Sequence, residues 1–363
     1  MKGSFQMGSV AGIKVFIHWT FAILIAYIVF SDYLRGYGAE KMGWSLLFVL
    51  AIFATVFLHE LGHALTAKRF GIRTLDITLL PIGGLARLES MPEKPSEELK
   101  VALAGPAVNV ALAALTWLFI DMPGPSELPA LMEAGMSADN FFLNFFMVNM
   151  WLALFNLIPA FPMDGGRVLR ALLSMRYERH VATNIAARVG QILAVGFVFA
   201  GFVVNPFLTF IGLFVFLGAQ AEAEQTQAQA LLRGYKVRDV MMKQVPSLEA
   251  GAPVKTAVDM LLNGQSRNFL VVEAGRPVGT LSRDEIIKAL AEGGEQAIVR
   301  SVMSRGLVTL GPEQSLEEVY KQLHMKKPAL LLVEEQGRVA GVLDAENILE
   351  FIMVREALMG KKA

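Results

Sequence analysis

The chain of 363 residues contains no cysteine. That absence removes disulfides, thiolate zinc sites, iron–sulfur clusters and cysteine nucleophiles together, while leaving the redox compartment open. Histidine is scarce too, with five residues in all. There is no excess of either charge, with 33 Lys and Arg against 33 Asp and Glu, so nothing electrostatic favours nucleic acid as a partner. Charge of any sign is thin in one stretch. Residues 1–232 hold 31 charged side chains, about 13%, whereas 233–363 hold 35, about 27%. Soluble domains carry about a quarter charged residues. The first region is therefore too apolar for an ordinary soluble domain, and the second has the composition of one.

What fills the first region is apolar runs of the length a bilayer requires, about 20 residues. Six candidate spans are Val15–Phe30, Trp44–Ala67, Leu99–Ile120, Phe141–Phe161, Ile185–Val204 and Pro206–Gln220. No A-x-A cleavage site follows the first run, which reads as a retained membrane helix. Bases gather after the second span (Lys68, Arg69, Arg73, Arg87, Lys94, Lys100) and after the fourth (Arg167, Arg170, Arg176, Arg179). The loop after the third carries Asp121, Glu127, Glu133 and Asp139 and no base. The excess of bases marks the cytoplasmic loops, so the N-terminus and the charged C-terminal region are expected in the cytoplasm. Between Arg73 and Leu88, two β-rich stretches flank Gly83-Gly84, which predicts a small β-hairpin at the cytoplasmic rim.

Two of the five histidines stand in His59-Glu60-Leu61-Gly62-His63, inside the second span. Positions i and i+4 share a helix face, so both imidazoles converge on one point with Glu60 beside them. Two imidazoles and one further ligand make a catalytic zinc site with a position left for water. The bland alternative is a histidine pair hydrogen-bonded between helices. It is costly in hydrocarbon, where ionisable groups are functional by default. A third ligand must come from the few polar residues of the other spans: His18, Asn109, Asn144, Asn149, Asn156 and Asp164. Asp164 ends the stretch Asn156-Leu-Ile-Pro159-Ala-Phe-Pro162-Met-Asp164, where two prolines break the helix. Unwound backbone at membrane depth lines a cavity or is buried in protein, which makes this carboxylate the natural third ligand. Depth agrees. His59 is about 15 residues, or about 22 Å, into a span entering from outside, and Asp164 closes a span at the cytoplasmic side. His18 lines the cavity, supplies a transient ligand or packs near the interface; the last is the plainer reading.

His59-Glu60-x-x-His63 together with Asn156-x-x-Pro159-x-x-Pro162-x-Asp164-Gly165 resembles the site-2 protease family, the M50-type intramembrane zinc metalloproteases. The resemblance implies one Zn2+ held by His59, His63 and Asp164, with Glu60 as general base. It implies that Asn156 positions substrate or holds the developing oxyanion. Gly83 and Gly84 would lie in a rim strand that pairs with unwound substrate, and Gly105-Pro106-x-x-Asn109 would serve packing. The implied substrate is a transmembrane protein, such as a membrane-tethered transcription regulator or anti-sigma factor, met within the lipid bilayer.

In the charged region, residues 237–290 match 299–352 at a constant offset of 62. Val237-Arg-Asp-Val-Met241 faces Val299-Arg-Ser-Val-Met303, and Gly275-Arg-Pro-Val-Gly279 faces Gly337-Arg-Val-Ala-Gly341. Each copy reads strand–helix–strand–strand–helix, and neither buries its sheet alone. This resembles a tandem pair of CBS domains, which implies a dimerisation or regulatory module and an adenosyl nucleotide in its cleft. The residues facing that nucleotide would be Ser282, Asp284 and Glu285 in the first copy. The second copy has Asp344 and Asn347 at the corresponding places, and Asp344 would repel a phosphate.

The expected fold class is an α-helical polytopic membrane protein of about six transmembrane helices with a small β-hairpin, plus an α/β tandem CBS module. The expected domains are a protease domain over 1–225, a linker over 226–236, one CBS repeat over 237–296 and another with the tail over 297–363. The competing reading is a CBS-gated membrane transporter or channel. The six spans have no internal symmetry of the kind many transporters show, and the H-E-x-x-H would be gratuitous there.

Overall fold

The computed structural model describes residues 3–81, 83–120, 124, 135–264, 266–326 and 328–360. Asp121, Glu127 and Glu133 of the acidic loop lie outside them. The chain divides into two compact units, Met1–Glu224 and Gln225–Ala363.

The first unit opens on strands β1 (Ser4–Val10) and β2 (Ile13–His18), then helices α1 (Thr20–Leu34) and α2 (Ala39–Arg69). Strands β3 (Thr74–Leu80) and β4 (Gly83–Leu88) follow, then α3 (Pro95–Trp117), α4 (Ala138–Asn156), the short α5 (Asp164–Leu173), α6 (Arg179–Val203) and α7 (Phe207–Leu232). Among the described residues five helices, α2, α3, α4, α6 and α7, are long and apolar enough to cross a bilayer. Thr20–Leu34 is apolar but has 15 residues. The expected first span, Val15–Phe30, is therefore displaced. Ile13 and Val15 are buried with Lys14 exposed between them, a two-residue period that builds a strand, and helix begins only at Thr20.

The expected hairpin is present as β3 and β4, within a larger sheet of order β1-β2-β3-β4. β2 runs parallel to β3, and the other neighbours are antiparallel. Gly83 and Gly84 open β4 rather than forming the turn, opposite Leu80 and Leu79. β4 is an edge strand and packs on α2, where Ala86 joins the core of Ile13, Phe53, Ala64, Ile77 and Leu79. Helix α2 crosses α3 at Gly62, where a Cβ would stand 2.9 Å from the Ala104 carbonyl oxygen. Close approach at small residues is how membrane helices pack without a hydrophobic drive between them.

The helix of the fourth span ends at Asn156, and residues 157–163 fold back over the start of α5. A Cβ on Gly165 would lie 2.2 Å from the Ile158 carbonyl oxygen, and one on Gly166 2.6 Å from the Phe161 nitrogen. The two glycines after Asp164 thus let the unwound loop close on the helix that carries the carboxylate.

The second unit holds two three-stranded sheets, β5-β6-β7 and β10-β9-β8. The strands are β5 (Ser247–Glu249), β6 (Asn268–Glu273), β7 (Arg276–Ser282), β8 (Val308–Leu310), β9 (Leu331–Glu335) and β10 (Arg338–Leu343). Its helices are α8 (Val254–Asn263), α9 (Arg283–Gly293), α10 (Val299–Val302), α11 (Leu316–Lys326) and α12 (Ala345–Gly360). The repeats exchange their leading segments. Met242 bridges Val342, and Ser304 bridges Thr280, the same pairing displaced by 62 residues. Val237 is buried in the core of the second repeat and Val299 in that of the first. α7 is helical through residues 226–232 of the stretch read as a linker, and Ala228, Leu231 and Leu232 join the core of the second unit.

Candidate metal centre

Helix α2 presents His59 and His63 one turn apart, and α5 presents Asp164 as its first residue. His59 Nε2 and His63 Nε2 are 3.1 Å apart. Asp164 Oδ2 lies 3.2 Å from the first and 3.1 Å from the second. All three residues are buried, 4–7% exposed. Arg167 stands 3.9 Å from the other carboxylate oxygen of Asp164.

The orienting bonds decide what these atoms are. His63 Nδ1 donates to the Val101 carbonyl at 2.7 Å, and His59 Nδ1 faces Asn109 Oδ1 at 2.5 Å. Asn109 Nδ2 in turn donates to Asn149 Oδ1 at 3.3 Å. A carbonyl oxygen only accepts, so each imidazole donates from Nδ1 and, when neutral, turns its Nε2 lone pair inward. With both rings neutral, two lone pairs and a carboxylate oxygen converge on one point, a donor set that a bound cation satisfies.

The donors fit zinc. A tetrahedral ion with bonds of about 2.0–2.1 Å spaces its ligands about 3.3 Å apart. Room is provided by Gly105 on α3, whose Cβ would lie 2.2 Å from His63 Nε2 and 2.6 Å from His59 Nε2. Any side chain there would occupy the place of the ion or its water. Outer partners of this kind, holding the second ring nitrogen, are the usual companions of metal-bound histidines.

Glu60 lies beside the cluster, under β4. Its Oε2 accepts from the Ala86 backbone N–H at 3.0 Å. A Cβ on Gly84 would meet Glu60 Cγ at 2.6 Å, so the strand approaches the carboxylate only because glycine stands there. The outward N–H of Ala86 places the groups of Gly84, two residues earlier, on the same open edge.

Of the other residues expected to act, Asn156 closes α4 and gives its Nδ2 to the Leu152 carbonyl at 3.0 Å. His18 ends β2 and bonds the Thr20 hydroxyl through Nδ1 at 2.7 Å; it does not join the three donors. In the second unit, Ser282 and Glu285 face one another across the start of α9. Glu285 Oε2 takes the Ser282 N–H at 2.7 Å and its hydroxyl at 2.8 Å, while Ser282 Oγ accepts the Glu285 N–H at 3.3 Å. Asp344 and Asn347 repeat the arrangement at α12 and add an Asn268 Nδ2 bond to Asp344 Oδ2 at 3.1 Å. These polar groups serve helix starts. Asp284 lies in the first turn of α9.

Sequence reading missed the roles of Asn109, Gly105 and the Val101 carbonyl. The signal was present: Gly105, Asn109 and Val101 are four residues apart and share one face of α3.

One imidazole pair and a carboxylate buried among membrane-length helices, with a glutamate following the first histidine, define a membrane-embedded zinc peptidase. The Peptidase family M50 profile matches residues 47–137 and 123–197, and the CBS domain profile matches 237–292 and 299–354. A Synechocystis relative bearing a zinc metalloprotease name is 30% identical over 98% of this chain and 97% of its own. The chain belongs to the M50, or site-2 protease, family and carries a tandem CBS pair. A zinc metalloprotease of Methanocaldococcus jannaschii is 28% identical over 98% of both chains. The solved site-2 protease from the same organism is 32% identical, covering 61% of this chain and 95% of that one, with a TM-score of 0.45. The protein is a membrane zinc protease, and the transporter reading falls away.

Proposed function

We propose that this protein cuts peptide bonds within or next to transmembrane segments of membrane proteins, such as a membrane-tethered transcription regulator or anti-sigma factor. The observation that carries the reading is the meeting of two imidazole lone pairs and a carboxylate beside Glu60. His59, His63 and Asp164 would hold the zinc. A zinc ion held there would supply a polarised water with a pKa lowered to about 7. Glu60 is the general base that receives the proton as the peptide carbonyl is attacked, and it returns it to the leaving amine. The Ala86 N–H steadies one of its oxygens and leaves the other for that task.

A helical substrate has its carbonyls locked in i→i−4 bonds and must unwind before attack. The open edge of β4 at Gly84 satisfies the freed backbone by strand addition and lays it against Glu60. Asn156 must turn from the Leu152 carbonyl to donate to the oxyanion, so its contribution follows substrate entry. The bias of bases in the loops supports an N-terminus and CBS pair in the cytoplasm, with cleavage near the cytoplasmic end of the substrate.

The CBS pair serves regulation or homodimerisation. An adenosyl nucleotide at Ser282, Asp284 and Glu285 has the capping of α9 to displace, which favours assembly over ligand sensing. Titrating the full-length protein with ATP tests this: no heat and no shift in unfolding are expected, and saturable binding would restore the nucleotide.

For the protease itself, a single-span substrate is co-expressed with wild type and with Glu60→Gln. Cleavage by the wild type alone is expected; equal cleavage would remove Glu60 as base. Asp164→Asn should lower zinc content, and unchanged metal would remove that ligand.

A further inference from the structure

A second buried polar cluster lies in the first unit and has no part in the chemistry above. Arg170 on α5 is 1% exposed, and Glu98 on α3 is 0% exposed. Arg170 Nε donates to Glu98 Oε1 at 2.7 Å, and its Nη2 lies 2.6 Å from the same oxygen. Its Nη1 pairs with Glu222 on α7. Arg179, at the start of α6, reaches Glu98 Oε2 at 3.1 Å and donates to the Pro92 carbonyl at 2.9 Å. The Arg170 guanidinium also stands over the Phe161 ring, 5.1 Å from its centroid. One side chain therefore grips α3, α7 and the unwound loop at once.

Stability alone does not account for such a cluster. Well-packed apolar residues of similar volume commonly match a buried ion pair or improve on it. What the cluster does control is position. Arg170 shares α5 with Asp164, six residues away, and Phe161 lies in the loop that delivers Asp164 to the site. Glu98 stands one turn before Val101, whose carbonyl holds His63. The clamp thus joins the helix carrying the carboxylate ligand to the helix that orients both imidazoles.

We propose that Arg170, clamped by Glu98 and Glu222, is a positioning residue for the metal centre: it fixes the start of α5 against α3 so that Asp164 Oδ2 meets the two Nε2 atoms. The proposal rests on His59, His63 and Asp164 as ligands. Arg170 touches none of them and acts through the helix and loop it holds.

The test uses full-length protein loaded with cobalt(II), whose visible absorption reports ligand geometry. Two further measurements are the rate of extraction by a chelator and the melting temperature of the metal-free protein. Three variants are compared with wild type: Glu222→Gln, Arg170→Lys, and the double variant Glu98→Met with Arg170→Met, which replaces the buried pair by apolar volume. Faster extraction is expected, below the about 10–100-fold loss of affinity that follows removal of groups bonded to the ligands themselves. Weakened cobalt bands should accompany it, with the metal-free melting temperature of Glu222→Gln unchanged. Arg170→Lys should fall between, because lysine keeps the charge but lacks the planar fork. Wild-type spectra and extraction rates in Glu222→Gln or in the folded double variant would overturn the proposal. So would faster extraction that only tracks a lowered melting temperature. If the double variant does not fold, Glu222→Gln still decides, since that side chain is 31% exposed and keeps its volume. A wild type that takes up no cobalt would overturn the ligand reading itself, a result visible without any variant.

Discussion

Two regions of this molecule hold polar side chains at places where sequence assigned them ligands, and they use them in opposite ways. In the first unit, the Nε2 atoms of His59 and His63 and the Oδ2 of Asp164 converge on one point, 3.1–3.2 Å from one another. In the second unit, Ser282 and Glu285 bond one another at the head of α9. The difference follows from the surroundings. A charge-poor, apolar region admits an ionisable group only at a cost, so the groups it keeps belong to the site or hold it in place. A charge-rich domain places serine and glutamate wherever a helix must begin.

The contrast is broken most strongly at the first site. Glu60→Gln should lower cleavage by about 10²–10⁴-fold, the usual worth of a general base, with zinc content unchanged. Gly105→Ala should abolish stoichiometric zinc by elemental analysis, because its methyl group would fall 2.2 Å from His63 Nε2. Retained zinc there would mean that the donors face a different point. Asn109→Ala should weaken zinc affinity by about 10–100-fold in competition with a chelator, the range for outer partners. Gly84→Val should reduce kcat with zinc retained, since the new side chain pushes on Glu60 rather than on the metal; a variant that cuts as well as wild type would free β4 from the base. The smallest effect belongs to the second unit. Ser282→Ala should cost about 1 kcal/mol of its stability, the value of one lost cap, measured by denaturant unfolding, and leave zinc content as it was.

Much of this was legible in the residues, for reasons that differ from place to place. The H-E-x-x-H fixes its own geometry through helix periodicity, so His59, Glu60 and His63 could be placed together before any coordinates. Asp164 was reached by elimination, since few polar residues compete with it in the apolar spans. The offset of 62 gave the two CBS repeats, but not the exchange of Met242 and Ser304 between their sheets, which is a pairing between distant segments that no local pattern encodes. The N-terminal strands were hidden because Ile13–His18 runs directly into the apolar Thr20–Leu34, and continuous hydropathy conceals a change of period. Arg170 was counted among the bases of a loop. Its burial depends on Glu98, 72 residues away, and on Glu222, 52 residues away.

The account turns on zinc held by the three donors and on Glu60 as the base that works beside it. The most direct test measures zinc per chain and cleavage of a single-span substrate together, in wild type and Glu60→Gln. One zinc in both proteins with cleavage only by the wild type is the predicted result. Equal cleavage by the two, or a wild type that cuts without zinc, would contradict it.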